Sequence, residues 1–195
     1  MKSIQWFVSI LALLFLFACA TADPMDEINK MIAEGKTVQA KQLFQELVAK
    51  EANPNVERQF IKFLFEQAQY HDFRREVSDY LGRFPEDGEI KELQFDFYAK
   101  LASDAERGGN YEDALDYIVT KLLDQEYQDF RKWESKQATV LKKWYNESKE
   151  KEDLASMKDA VMKMHNLGFE NLATSLDVEL SQEVLKMLEK TEEAQ

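Results

Sequence analysis

Gly109-Asn110-Tyr111-Glu112-Asp113-Ala114-Leu115 marks the end of one helical pattern and the start of the next. Gly108 and Gly109 stop the apolar periodicity that precedes them, because adjacent glycines favour a turn over a helix interior. From Tyr111 the periodicity resumes, with Ala114, Ile118 and Leu122 recurring every fourth residue along one helical face. Glu112 and Asp113 fall in the first turn, where the positive end of the helix dipole favours acids. Ala114 puts a small side chain on the inner face, so this helix can approach the preceding one closely. The stretch reads as helix, tight turn, helix, with the two helices antiparallel.

The same arrangement occurs twice upstream. Thr37, Ala40, Phe44, Leu47 and Val48 recur 33 residues later as Tyr70, Phe73, Val77, Tyr80 and Leu81. A further shift of 41 gives Tyr111, Ala114, Ile118, Lys121 and Leu122, after an insertion of about seven residues around Gly88 to Gln94. The preceding helices follow the same frames, with Ile28 and Met31 matching Ile61 and Leu64, then Ala102 and Ala105. Breakers lie between these segments: Pro24 opens the first, Gly35 closes it, Asn53-Pro54-Asn55 separates the first pair from the second, and Phe84-Pro85 ends the second.

A helix-turn-helix unit with a period of roughly 34 residues resembles the tetratricopeptide repeat. The resemblance covers residues 24–125 in three units, about 21–54, 54–87 and 95–128. It implies an all-α fold, an α-solenoid of antiparallel helix pairs in which each pair buries its apolar stripe against its neighbour. Phe73 stands where that family carries a small residue, so the second unit is expected to be splayed or repacked. Beyond residue 125 the repeat fades but helical periodicity continues. Phe130, Trp133, Val140, Leu141 and Trp144 share one face, Leu154 to Met164 mark another helix, and Leu172, Leu176, Leu180, Val184 and Leu188 repeat along a last one. These helices, over 126–190, are expected to cap the solenoid, with 191–195 fraying. The aromatics there, Phe130, Trp133, Trp144 and Tyr145, are of types enriched in cores and at interface hot spots; their spacing favours a buried stripe, with Tyr145 the most exposed.

Composition agrees with a helical body. Six Gly and three Pro in 195 residues leave long runs uninterrupted, and 13 Phe supply material for a core. Thirty-seven acidic against 25 basic residues give a formal charge of −12, which repels phosphate backbones and anionic lipid and argues against nucleic acid as a partner.

The first residues follow a different logic. Lys2 and an apolar run of 14 residues from Ile4 to Phe17 precede the single cysteine, Cys19. Such a run is short for a membrane span, which takes about 20 apolar residues, and has the layout of a secretory signal over 1–18. Leu16-Phe17-Ala18-Cys19 resembles the lipobox of bacterial lipoproteins, which implies cleavage before Cys19, acylation of its new N-terminus and a short tether over 19–23. Ala20, rather than Asp, after the cysteine implies the outer membrane, with the body facing the periplasm. Ala20-Thr21-Ala22 also suits ordinary signal cleavage, which would discard Cys19 and leave a periplasmic or secreted protein. In the first case lipid alone links the chain to the membrane.

Catalysis finds no constellation in the sequence. His71 and His165 are the only histidines, 94 residues apart, and no phosphate-binding glycine loop or nucleophile-base pattern accompanies them. No catalytic residue, metal, cofactor or small-molecule substrate is expected. The tetratricopeptide resemblance implies instead a binding surface on the first helix of each pair, for a protein or peptide partner. In this sequence those positions are Met25, Asn29 and Ile32, then Asn55, Arg58, Lys62 and Phe65, then Ala99, Ser103 and Glu106. The family's clamp for C-terminal carboxylates needs a larger set of Lys and Asn than Arg58 and Lys62. A soluble helical protein with a structural or inhibitory role is the alternative.

Overall fold

Two helix starts in the N-terminal part, at Pro24 and Pro54, are capped by the side chain before them. The Asp23 side chain accepts from the Met25 N–H at 2.9 Å, the Asn53 side chain accepts from Asn55 at 3.0 Å, and a proline follows each as the first helical residue. In the computed structural model the described residues, 23–123 and 130–193, are all-α, with no strand among them. Cys19, the leader and residues 124–129 lie outside the described residues, as does the Phe130 side chain. The helices are α1 (Pro24–Ala33), α2 (Thr37–Lys50), α3 (Pro54–Glu66), α4 (Tyr70–Arg83), α5 (Gly88–Arg107), α6 (Tyr111–Tyr117), α7 (Phe130–Glu150), α8 (Leu154–Asn166) and α9 (Glu170–Glu193). One π-helical turn, Ile118–Leu122, continues α6.

The turn between paired helices has one hydrogen-bond pattern, used five times among the described residues. Between α1 and α2, Lys36 N–H donates to the Met31 carbonyl at 2.8 Å and Gly35 N–H to Ile32 at 3.0 Å. The same two bonds recur with Gln69 and Ala68, Asn110 and Gly109, Asp153 and Glu152, and Phe169 and Gly168 as donors. This closure requires a left-handed residue, and φ is +72° at Gly35, +52° at Ala68, +76° at Gly109, +54° at Glu152 and +82° at Gly168. The first three lie 33 and 41 residues apart, the spacings of the sequence repeat. The fourth and fifth fall in the stretch where the sequence repeat fades.

The chain divides into two compact units, Met1–Lys91 and Glu92–Gln195. In the first, α1 packs on α2, α2 on α3 and α3 on α4. Ala40 is fully buried and lets α2 close on α1. Phe44 lies 5.4 Å from Phe60 and 5.3 Å from Phe63, between ring centroids. Phe73, at the position where the repeat carries a small residue, is also fully buried, its ring 5.3 Å from Phe65. Burying each such phenyl contributes on the order of 1.5–3 kcal/mol to cohesion between these short helices.

In the second unit α7 packs on α6 and α8, and α8 on α9. Its core joins Ala102 of α5, Ala114 and Ile118, Val140, Leu141 and Tyr145 of α7, Met157 and Met164 of α8, and Ala173 of α9. Trp133 and Trp144 are buried here, as their spacing predicts, but Tyr145 is not the exposed member of the set. It is fully buried, with its hydroxyl 3.5 Å from the Leu176 carbonyl, because α9 folds across this side of α7. The stripe along α9 divides in two. Leu172, Leu176 and Leu180 pack against the core, whereas Leu188 is 57 % exposed. A residue every four positions drifts by about 40° per step on a helix of 3.6 residues per turn, so Leu188 points almost opposite to Leu172.

Candidate functional site: a cleft between two helices

Small side chains on one helix face a large one on the next, and the space between them is a cleft. Within the second unit, Ala99, Ala102 and Ser103 of α5 line one side, and Lys132, Trp133, Ser135, Lys136 and Thr139 of α7 line the other, around a volume of about 330 Å³. That lies near the lower end of ligand-binding cavities, about 300–1,000 Å³. Ala102 is buried and Ala99 and Ser103 are half-buried. Trp133 is braced by Phe95, whose ring meets it edge-on at 5.6 Å and 75°. Glu106, one turn beyond Ser103, ion-pairs with Lys136 and lies 3.9 Å from Lys143. It ties α5 to α7 beside the cleft. Lys132 rests its ammonium 5.8 Å from the Trp133 ring centroid and has no ion pair among the described residues.

Two of the positions taken from the repeat register, Ala99 and Ser103, thus share one cleft, with Glu106 next to it. The repeat register does not select the opposite wall, and the spacing of Trp133 favours a core residue of a capping helix over an interface one. The available signal was Trp133 flanked by Lys132 and Lys136, an aromatic between cations.

In the first unit the same register leads to residues that are already engaged. Arg58 donates to the Asn55 side-chain oxygen at 2.5 Å and its Nε lies 3.7 Å from Asp87. Lys62 pairs with Glu89 at 2.5 Å, and Phe65 packs between Phe73 and Tyr70. Asp87 also accepts from the Tyr80 hydroxyl at 2.7 Å and from the Ile90 N–H at 3.2 Å, which caps α5. Burial and the bond to Asp87 push the Tyr80 phenol up to about 12. For Asp87 burial acts upward, but the bonds from Tyr80 and Ile90 and the Arg58 charge leave the carboxyl below its ordinary value. Beside this network Glu57, 7 % exposed, is held by both terminal nitrogens of Arg83. Met25 and Ile32 are half-buried and Asn29 exposed. None of them lines the neighbouring depression of about 400 Å³ between α1 and α2, which is formed by Asp26, Glu27, Lys30, Met31, Glu34, Lys36 and Gln39.

The histidines differ. His71 is almost fully exposed, with Asp72 3.6 Å away. His165 at the end of α8 has a carboxylate on each ring nitrogen, Glu170 at 2.8 Å and Asp177 at 2.9 Å, both from α9. Those two carboxylates, Asp177 first, raise its pKa above 6.5. A third depression, of about 340 Å³, gathers Glu112, Asp113 and Asp159 around Trp144 and Ser156. Among the described residues no three His, Cys, Asp or Glu side chains converge as a metal site. No helix of the described residues is long and apolar enough to cross a membrane. No family model, no curated protein and no solved structure matches this chain.

Proposed function

We propose that this protein is a non-catalytic, lipid-anchored scaffold of the bacterial cell envelope, a tetratricopeptide-like stack of helix pairs that holds a segment of a partner protein between α5 and α7. The observation that carries the proposal is the cleft itself: Ala99 and Ser103, selected from the repeat register, line it together with Trp133. Recurrence of one turn geometry at spacings of 33 and 41 residues supports the repeat. Neighbour-on-neighbour packing of α1 to α4 is in keeping with it. The anchor rests on Cys19 and the apolar run before it, which would hold the body on the periplasmic face of the outer membrane through acyl chains.

A photoreactive residue at Ser103, in the native host, tests the cleft. An adduct with a discrete partner is expected from Ser103 and not from the exposed Ser78 of α4; equal labelling at both positions, or none at Ser103, ends the proposal. The anchor has its own test, since the mass of the mature N-terminus either includes fatty chains on Cys19 or begins at Asp23. The second outcome would make the protein a soluble periplasmic or secreted one.

A further inference from the structure

Resting on the cleft reading above, we infer that the segment it takes is acidic as well as apolar: one bulky apolar side chain with an Asp or Glu beside it. Three features of the cleft lead there. Its α5 wall ends in methyl groups and a hydroxyl, from Ala99, Ala102 and Ser103, so the depth between α5 and the Trp133 indole is left for a side chain from outside. Such a side chain must be apolar to gain from leaving water, and a volume of about 330 Å³ accommodates little more than one large one. Among the described residues the charged side chains lining the cleft are Lys132 and Lys136, in a chain whose formal charge is −12.

The two lysines are not equivalent. Lys136 is already neutralised by Glu106, which fixes it against α5. Lys132 is held only by the face of Trp133, in the first turn of α7, and has no carboxylate of its own among the described residues. It is the cation available to a ligand, and it stands next to the ring that packs the apolar side chain. A partner carboxylate adjacent in sequence to that side chain reaches Lys132 without leaving the cleft and forms a charge-assisted bond. The surplus of acids elsewhere on the chain works against a strongly acidic partner at long range, so a single local carboxylate fits better than a run of them.

Selection of random 12-residue peptides on the full chain tests this, with counter-selection on Ser103→Trp, which fills the cleft, and Ala99→Trp as a second filling variant should the first fail to fold. Peptides lost on filling are expected to carry Asp or Glu within two residues of Leu, Phe, Met or Trp. For one such peptide, fluorescence anisotropy should show binding weakened by about tenfold or more in Lys132→Glu and retained in Lys132→Arg. Peptides that depend on an open cleft but show no acidic enrichment and no response to Lys132→Glu overturn the acidic specificity and leave the cleft standing. If no selected peptide responds to either filling variant, the cleft reading fails and this inference fails with it.

Discussion

Residues 41 positions apart on α3 and α5, which the repeat resemblance aligns, do opposite things. Arg58, Lys62 and Phe65 on α3 correspond to Ala99, Ser103 and Glu106 on α5. On α3 the long side chains reach their own unit: Arg58 to Asp87, Lys62 to Glu89, Phe65 to Phe73. On α5 the two short ones reach nothing comparable and leave a cleft, while Glu106 crosses to Lys136. A repeat register therefore identifies equivalent places without saying which is open. Side-chain length decides that, together with the availability of an internal partner.

The largest expected effect comes from erasing the difference. Ala99→Arg with Ser103→Lys gives α5 the side chains of α3, and binding of any cleft-dependent peptide should fall by about 100-fold, close to 2.7 kcal/mol. The helical content measured by circular dichroism should stay unchanged; retained affinity would mean that the cleft is not where ligand sits. Next is Arg83→Ala in the first unit, which leaves the Glu57 carboxylate buried without its partner. Breaking a fully buried pair costs about 3–5 kcal/mol, and because Arg83 is 51 % exposed a loss of about 2 kcal/mol in denaturant unfolding is expected.

The turns sharpen the comparison at smaller scale. Gly35 and Ala68 take the same left-handed conformation, and a Cβ at Gly35 would meet nothing within 4 Å, so only the backbone distinguishes them. Gly35→Ala should destabilise by about 1 kcal/mol and Ala68→Gly stabilise by a somewhat smaller amount, read as opposite shifts in Tm. Lys62→Ala, which removes one exposed pair with Glu89, should change stability by less than about 0.5 kcal/mol.

The smallest effect is one of pH. His165 is raised above its ordinary value of 6.5 by Asp177 and Glu170, so its bridge from α8 to α9 is fully formed below 6.5 and is lost as pH rises through the higher folded value. Amide exchange in the first turns of α9 should quicken more across that interval than base catalysis of exchange explains, and His165→Gln should remove the excess. An excess that persists in His165→Gln would place the titration elsewhere.

Much of the helical order was legible because its signals are local. Pro24, Asn53-Pro54 and Gly108-Gly109 act through φ restrictions and caps that neighbouring residues alone impose, and the boundaries fall within a few residues of them. Gly88 is less legible, since α5 begins there, inside the stretch that reads as an insertion: Asp87, immediately before it, caps the helix. The turns at Ala68 and Glu152 carry no glycine, so the recurrence of one turn geometry along the chain is visible in the backbone and hidden in the residue types. Half of the candidate site was legible in the same limited way. Ala99 and Ser103 follow from the register, but Trp133 and Lys132 approach them across the gap between α5 and α7, and no spacing rule predicts that meeting.

That the chain is helical, and where its helices break, is readable from the residues alone, since apolar periodicity, caps and breakers act over a turn or two of backbone. The repeat resemblance adds a register that aligns α3 with α5. Packing between distant segments settles that Tyr145 is covered by α9, that Arg58 is bound by Asp87 and Lys62 by Glu89, and that the space beside Ala99 remains open. The two differ in range: burial and ion pairing depend on which distant surfaces meet, and a small side chain becomes a cleft only where its neighbour leaves the space unfilled.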